Sequence, residues 1–260
     1  MLNFLNALIQ LTSTTMAWRC TGKSNKELIS NMATAGIFKS DQVANVDRAN
    51  YVRHATHFAF SKIHPHPEAN LIPEQSGMPQ QSARRTWSVP LQSQLPIPLT
   101  PPPSQHAYAT EHLLPYLRPG ARVLDVGSGS GYLCAVLHHL VGPTGKVVGI
   151  EHIPELVDWS VDNLKKDGLG KALEDGSIVV VAGDGRKGPY DAIHVGAAAP
   201  TLPNELVEQL ACPGRMFIPV GTYSQYIQHV DKDANGKVTH KEVMGVSYVP
   251  LTDQEKQRGV

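Results

Sequence analysis

One stretch of this 260-residue chain decides its fold: Val123-Leu124-Asp125-Val126-Gly127-Ser128-Gly129-Ser130-Gly131-Tyr132-Leu133. Four residues typical of a buried strand run directly into three glycines at alternate positions, and an apolar run over residues 133–141 then predicts a helix. Glycine lets the backbone approach a ligand closely, and the N-terminus of a helix presents free N–H groups. The stretch therefore predicts a strand, a turn and a helix that together hold a nucleotide-like ligand.

Strands and helices alternate on the C-terminal side of this stretch. Strands are predicted at residues 121–126, 146–150, 177–182, 191–195 and 215–220, and helices at 133–141, 156–164 and 202–210. Such alternation predicts a parallel sheet covered by helices on both faces. Asn235-Gly236 separates two further strand-like runs, 226–230 and 238–249, which predicts a hairpin. The fold class is therefore α/β, a doubly wound and mostly parallel sheet with an antiparallel C-terminal hairpin.

The N-terminal 105 residues have a different character. Ser24 with Glu27 forms a capping box that begins a helix, Gly36 ends this helix, and Ser40 begins a second one. Residues 54–105 hold ten of the chain's 20 prolines, which remove backbone donors and disfavour helix. We expect four regions: an irregular N-terminal extension, a helical cap, a proline-rich loop or disordered insertion, and a main domain that opens with a helix over 106–117. Their bounds are 1–15, 16–53, 54–105 and 106–260.

Composition argues against several classes of protein. The 23 Lys and Arg balance the 23 Asp and Glu, whereas a protein that coats nucleic acid or a membrane surface needs a basic excess. Three scattered cysteines, Cys20, Cys134 and Cys212, indicate reduced thiols. Residues 1–11 are apolar but too short to span a bilayer, which favours an irregular extension over a signal or anchor peptide. We expect a cytoplasmic monomer that binds neither nucleic acid nor membranes.

Two motifs suggest a metal but have simpler explanations. Four histidines lie in the proline-rich segment at irregular spacing, which is typical of a solvated loop: His54, His57, His64 and His66. Residues 231–236, together with Glu242, match the calcium loop of an EF-hand. That loop requires a helix on each side, and here both flanks are strand-like. A hairpin turn explains these residues, and we expect no metal site.

The glycine turn is compatible with two cofactors, a dinucleotide and S-adenosylmethionine. The dinucleotide fingerprint requires its third glycine at the position that Tyr132 occupies. Asp125 suits a cationic sulfonium with an amino-acid tail, Glu151 is placed to accept from two ribose hydroxyls, and Asp184 is placed to border an adenine. The three acids follow successive strands, where such folds bind ligands. They favour S-adenosylmethionine, and an NAD-linked oxidoreductase is the weaker alternative.

Further segments match one known family. They are Met16–Cys20, Val46–Ala49, Val123–Gly131, Gly145–Val157, Gly183–Arg186, Pro189–Pro200 and Tyr248–Asp253. On these residues the chain resembles the protein-L-isoaspartate (D-aspartate) O-methyltransferases over 16–53 and 106–257. Many methyltransferases share the glycine motif, whereas the runs at 191–200 and 249–252 are specific to this family.

The resemblance implies a seven-stranded, Rossmann-like methyltransferase fold that binds S-adenosyl-L-methionine. It implies methyl transfer to the free carboxyl of L-isoaspartyl and D-aspartyl residues in damaged proteins and peptides, which initiates their repair. The cofactor-binding residues that it implies are His106, Asp125, Gly127, Ser128, Gly129, Glu151, His152, Asp184, Gly185, Thr252 and Gln257. It places His106 and Val249 at the substrate.

The chain departs from the family just before His106. The position of the family's active-site serine holds Pro101, so we assign no catalytic side chain. The nucleophile is a carboxylate that is ionised well below pH 7 and needs no general base. Loss of the serine is thus expected to impair positioning of the substrate. We expect cofactor binding to be affected less than turnover. The alternatives are a catalytically impaired, cofactor-binding relative and an incorrect gene model for 54–105 and the residues before Met16.

Overall fold

The computed structural model describes residues 25–45, 103–183 and 188–251. Several predictions fall outside these ranges: the extension 1–15, the histidines between 54 and 66, and the capping residue Ser24. The same is true of five predicted site positions, namely Pro101, Asp184, Gly185, Thr252 and Gln257.

Seven strands of the described residues form one sheet. They are β1 (Arg122–Val126), β2 (Lys146–Glu151), β3 (Ile178–Ala182), β4 (Tyr190–Val195), β5 (Leu210–Val220), β6 (Gln225–Lys232) and β7 (Val238–Val246). Their order is β3-β2-β1-β4-β5-β6-β7. The first five run parallel, and β6 is antiparallel to both of its neighbours. The predicted mostly parallel sheet with an antiparallel hairpin at one edge is confirmed.

The helices alternate with these strands as expected. They are α1 (Asn25–Thr34), α2 (Pro103–Leu113), α3 (Tyr132–Val141), α4 (Pro154–Lys166), α5 (Gly170–Glu174) and α6 (Asn204–Glu208), and residues 41–45 are also helical. The short α5 was not predicted. Two apolar clusters lie on opposite faces of the sheet: Val123 and Phe217 pack with α2 and α3, and Leu124 and Met216 pack with α6. Helices therefore cover both faces, as in a doubly wound fold.

The helix predicted over 106–117 is correct in kind and wrong in its bounds. It begins at Pro103, so that residues 103–105 of the predicted proline-rich loop are helical. Proline is tolerated at a helix start, where its missing N–H has no intrahelical acceptor, and the next two residues, Ser104 and Gln105, are buried. The α-helix ends at Leu113, and a 3-10 turn over Leu114–Tyr116 follows it.

The C-terminal hairpin forms across the predicted turn. Gly236 has a φ of 81°, and the Asp233 carboxylate accepts from the backbone N–H groups of Asn235 and Lys237. Strands flank the turn, as the hairpin interpretation requires. The strand predicted over 238–249 ends early, at Val246. Beyond Val246, the Gln225 side-chain amide bonds to both the N–H and the carbonyl of Tyr248.

The N-terminal helices pack on α2 through a cluster that includes Ile29, Met32, Phe38 and Ala107. Ser40 caps the second predicted helix, since its Oγ accepts from the Val43 N–H at 3.2 Å. The same hydroxyl donates to Glu111 on α2 at 2.6 Å. Ser40 thus both begins one helix and links it to α2 by a hydrogen bond.

No helix in the described part of the chain is long and apolar enough to cross a membrane.

We expect Ser40→Ala to lower the free energy of unfolding by about 1–2 kcal/mol, because it removes a helix cap and the bond to Glu111. Urea denaturation measures the change. Thr34→Ala is the matched control, since this exposed hydroxyl bonds to the carbonyl of Ser30 in its own helix. Equal losses in the two variants would contradict the capping role.

Candidate functional site

The glycine turn lies between β1 and α3 in a conformation that L-residues avoid. The φ angles of Gly127, Gly129 and Gly131 are 80°, 51° and 79°. This conformation brings the N–H groups of Gly127 and Ser128 onto the Ile150 carbonyl, at 2.8 and 2.9 Å. The turn is therefore hydrogen-bonded to the end of β2. The positive φ angle at each of the three alternate positions explains why glycine occurs there.

The turn is also tightly packed. A Cβ added at Gly131 would lie 3.1 Å from Ser160 Cβ and 3.2 Å from the Ser160 carbonyl oxygen on α4. A Cβ added at Gly149 on β2 would lie 2.7 Å from Cys134 Sγ and 3.0 Å from Ser128 Cβ. Gly149 was not among the predicted site residues. It supports the turn by giving it room against β2.

Gly131→Ala is expected to destabilise the protein more than Gly168→Ala does. Both residues have positive φ angles, 79° and 85°, so both variants carry a strain of about 1–2 kcal/mol. Nothing lies within 4 Å of a Cβ added at Gly168, whereas the one at Gly131 meets Ser160. The difference between their unfolding free energies in urea isolates the packing of the turn against α4. No difference would refute that close packing.

Glu151 ends β2 with a buried and well-anchored carboxylate. Among the residues that the structure describes, it accepts from three backbone N–H groups, those of Gly129 at 3.1 Å, His152 at 2.9 Å and Ile153 at 3.3 Å. A carboxylate offers about four acceptor positions, so one remains for a ligand hydroxyl. The His152 side chain is one-third exposed beside it, with Nδ1 3.7 Å from Glu151 Oε1.

Asp125 lies at the end of β1, where its side chain is 2% exposed. Its Oδ1 is 2.8 Å from Nδ1 of His194 on β4, and the Cys134 thiol lies 3.5 Å from Oδ2. Burial, and then Asp125 itself, raise the pKa of that thiol well above its ordinary value, so the thiol is protonated and donates. Sequence reasoning found Asp125 but missed both partners.

His106 on α2 faces the same group. Its ring centre lies 6.4 Å from that of His194 and 5.3 Å from that of Tyr132. Burial, and then His194, lower the pKa of His106 to about 4, although Asp125 acts in the opposite direction. His106 is therefore neutral at pH 7.

A small, partly enclosed cavity lies between these elements. It is lined by His106, Asp125, Gly127, Ser128, Ser130, Leu133, His194 and Gly196. Ser128 Oγ is buried there and finds no hydrogen-bond partner among the described residues. The cavity thus offers a carboxylate, a neutral imidazole and a hydroxyl that still needs a partner.

The structure brings together most of the predicted site residues that it describes. His106, Asp125, Gly127 and Ser128 line the cavity, and Glu151 bonds to Gly129 in the glycine turn beside it. Val249 lies at the same edge of the sheet, because its carbonyl accepts from the N–H of Ala198, just after β4. In residues 25–45, 103–183 and 188–251, no group of three or more His, Cys, Asp or Glu is arranged to hold a metal ion.

Comparison with known proteins now decides the family. The model of the family described as protein-L-isoaspartate (D-aspartate) O-methyltransferase matches residues 88–256. The chain belongs to this family. The match begins inside the predicted proline-rich segment and includes Pro101. The predicted boundary at residue 106 stays a prediction.

Individual members of the protein-L-isoaspartate O-methyltransferase family agree with this assignment. A Caenorhabditis elegans protein of that name is 40% identical over 253 residues, which cover 93% of this chain and 98% of the relative. A Triticum aestivum protein of that name is 52% identical over 160 residues, which cover 60% of this chain and 70% of the relative.

Solved structures show the same fold. A Plasmodium falciparum structure, described as a protein-L-isoaspartate O-methyltransferase in complex with S-adenosyl-L-homocysteine, superposes with a TM-score of 0.66 at 26% identity. The match covers 89% of this chain and 99% of the other. A second protein-L-isoaspartate O-methyltransferase structure, with a TM-score of 0.58 and 19% identity, has the same fold; its match covers 88% of this chain and 66% of the other. The predicted methyltransferase fold class is confirmed.

Proposed function

We propose that this protein transfers the methyl group of S-adenosyl-L-methionine to the free carboxyl of L-isoaspartyl and D-aspartyl residues in damaged proteins and peptides. One observation carries the proposal: Asp125 and Glu151 are buried at the ends of the adjacent strands β1 and β2, with the glycine turn fastened between them. The family supports the substrate, since its members carry the name protein-L-isoaspartate O-methyltransferase.

The residues present fit this cofactor. Glu151 retains an acceptor position for ribose hydroxyls, and Asp125 supplies negative charge for an α-ammonium group. The unpartnered Ser128 hydroxyl is available to a polar ligand atom. Because the lowered pKa of His106 keeps its ring neutral at pH 7, that ring does not repel a cationic ligand in the cavity. We assign these four residues to the cofactor.

Methyl transfer to a carboxylate depends on alignment of the two reacting groups more than on proton transfer. S-adenosyl-L-methionine, when bound, supplies an electrophilic methyl group on a sulfonium. The substrate carboxylate is ionised at neutral pH, so the protein needs no general base and a neutral His106 is sufficient. The protein's own contribution is to hold the carboxylate oxygen in line and to exclude water. The resulting ester is then attacked by the neighbouring backbone nitrogen, which forms a succinimide and releases methanol.

The substrate side is proposed from the family's positions. His106 lines the cavity from α2, and Val249 is held at the same edge by Ala198. Both are proposed to contact the isoaspartyl segment. A monomeric state, a cytoplasmic location and the absence of a catalytic side chain at Pro101 stay predictions.

A methyl-transfer assay tests the function. With radiolabelled S-adenosyl-L-methionine, we expect label to enter an isoaspartyl peptide and not the same peptide with a normal aspartyl residue. Equal label in the two peptides would refute the proposed substrate. Calorimetric binding of the cofactor without transfer would favour the catalytically impaired alternative, which the shared name of the relatives does not support.

A further inference from the structure

His194 forms a buried pair with Asp125 that the sequence did not predict. The two residues lie opposite each other where β1 and β4 pair in parallel. His194 Nδ1 and Asp125 Oδ1 are 2.8 Å apart, and both side chains are 2% exposed. Both line the cavity. The proposed function uses the carboxylate and gives the imidazole no role.

The direction of this hydrogen bond follows from the charge. An ionised carboxylate only accepts, so His194 donates from Nδ1. A second donor, the Cys134 thiol, is 3.5 Å from the other oxygen. Buried charge is tolerated only where donors surround it, and His194 supplies the short bond. The pair therefore fixes the tautomer of the ring and the orientation of the carboxylate together.

The imidazole is itself held on several sides. Its ring stacks on Phe217 with centres 6.1 Å apart and planes at 18°. The His106 ring meets it edge-on at 6.4 Å. The Gly196 backbone lies beside the ring, since a Cβ added there would be in van der Waals contact with His194 Cε1, at 3.6 Å. A ring confined in this way is suited to orient its partner.

We propose that His194 is a positioning residue, which holds the Asp125 carboxylate in the orientation that binds the amino-acid end of S-adenosylmethionine. The identity of the ligand rests on the proposed function. Proton transfer is not part of this role, because the substrate carboxylate is already ionised at neutral pH. The prediction is selective: weakening the pair should impair recognition of the amino-acid end and spare the adenosine end, which Glu151 serves.

Two ligands and three variants test this selectivity by calorimetry. S-adenosyl-L-homocysteine carries the amino-acid end, and adenosine lacks it. We expect His194→Phe to raise the Kd of S-adenosyl-L-homocysteine at least tenfold, equivalent to about 1.4 kcal/mol, and to change the Kd of adenosine less than twofold. His194→Asn places an amide N–H near the position of Nδ1 and should bring the first Kd within threefold of wild type. His194→Gln moves the amide one carbon further and should not.

Two outcomes would overturn the proposal. One is an equal loss of affinity for both ligands. The other is an affinity of His194→Asn for S-adenosyl-L-homocysteine that is as low as that of His194→Gln. The Asn and Gln variants settle the matter even where His194→Phe does not fold. His240→Phe, an exposed histidine on β7, is the control and should bind both ligands as wild type does. Failure of the proposed function would be distinguishable from failure of this proposal. In that case the wild-type protein would bind the cofactor but would not methylate an isoaspartyl peptide.

Discussion

Replacing Glu151 by Gln is expected to weaken cofactor binding about 100-fold, which is equivalent to about 2.7 kcal/mol. The carboxylate accepts from the N–H groups of Gly129, His152 and Ile153. A glutamine keeps one acceptor oxygen and places an NH₂ group against the donors of the other. The substitution therefore places the glutamine NH₂ group against a backbone N–H donor in a buried site. The hydrogen bond that holds one side of the glycine turn is lost.

The size of the effect follows from three changes that act together. A hydrogen bond to a charged group contributes about 1.5–3 kcal/mol, and an unsatisfied buried donor costs about 1–3 kcal/mol. The remaining acceptor position of Glu151, proposed to receive ribose hydroxyls, is also lost. We therefore expect a lower free energy of unfolding, by about 2–4 kcal/mol, alongside the weaker binding.

Calorimetric titration with S-adenosyl-L-homocysteine and urea denaturation measure the two effects. Glu174→Gln is the control, because this glutamate is exposed at the end of α5. We expect it to bind as wild type does. Wild-type affinity in Glu151→Gln would show that the buried carboxylate has no part in the cofactor site.

The fold was predictable because each element carries its own local signal. Buried strands such as Lys146–Glu151 are short apolar runs, and the glycine turn has a spacing that few other structures require. Errors occur where a local rule competes with packing. Proline disfavours helix, which predicts a loop at Pro103, yet this residue stands at the first position of α2, where proline does no harm. The short α5, with five residues, offers too little periodicity to detect.

The site was predictable only in part. Asp125 and Glu151 were found because they lie at strand ends, where parallel sheets bind ligands. His194 was missed because it lies inside an apolar strand, 69 residues from Asp125, and only the pairing of β1 with β4 joins them. An ionisable residue in each of two largely apolar predicted strands is a signal that would have suggested the pair. The sequence indicates a reduced thiol at Cys134 but gives no sign that it lies beside Asp125.

Stability is expected to fall steeply as the pH drops from 7 to 4. Burial lowers the pKa of His229 to about 4, and positive charge at His112 and Arg215 adds to that effect. Asp231 opposes it but is already engaged by the guanidinium of Arg215, at 2.6 and 2.8 Å. The His229 side chain lies on β6 with its ring 4.6 Å from that of His112, and its Nε2 is buried with no partner among the described residues.

The sign follows from linkage. The folded pKa of His229 is below the unfolded value of about 6.5, so the unfolded state takes up its proton first. The stability that the neutral ring contributes is fully present above pH 6.5 and is lost as the pH falls toward 4. A shift of this size corresponds to at most about 3 kcal/mol. The lowered pKa of His106 gives a second contribution of the same sign.

Urea denaturation between pH 7 and pH 4 checks the expectation. The quantity compared between each variant and wild type is the loss of unfolding free energy over this range. Other groups that titrate below pH 5 contribute to every curve, and comparison with wild type cancels them. His229→Gln removes one titrating ring, so the loss of unfolding free energy between pH 7 and pH 4 should shrink by about 2–3 kcal/mol. His240→Gln changes an exposed histidine on β7 and should leave the wild-type slope unchanged. If His229→Gln keeps the wild-type slope, the ring is not held neutral by its surroundings, and the acid sensitivity must arise from other groups, among them carboxylates and the histidines whose pKa values are also lowered, His106, His112 and His138.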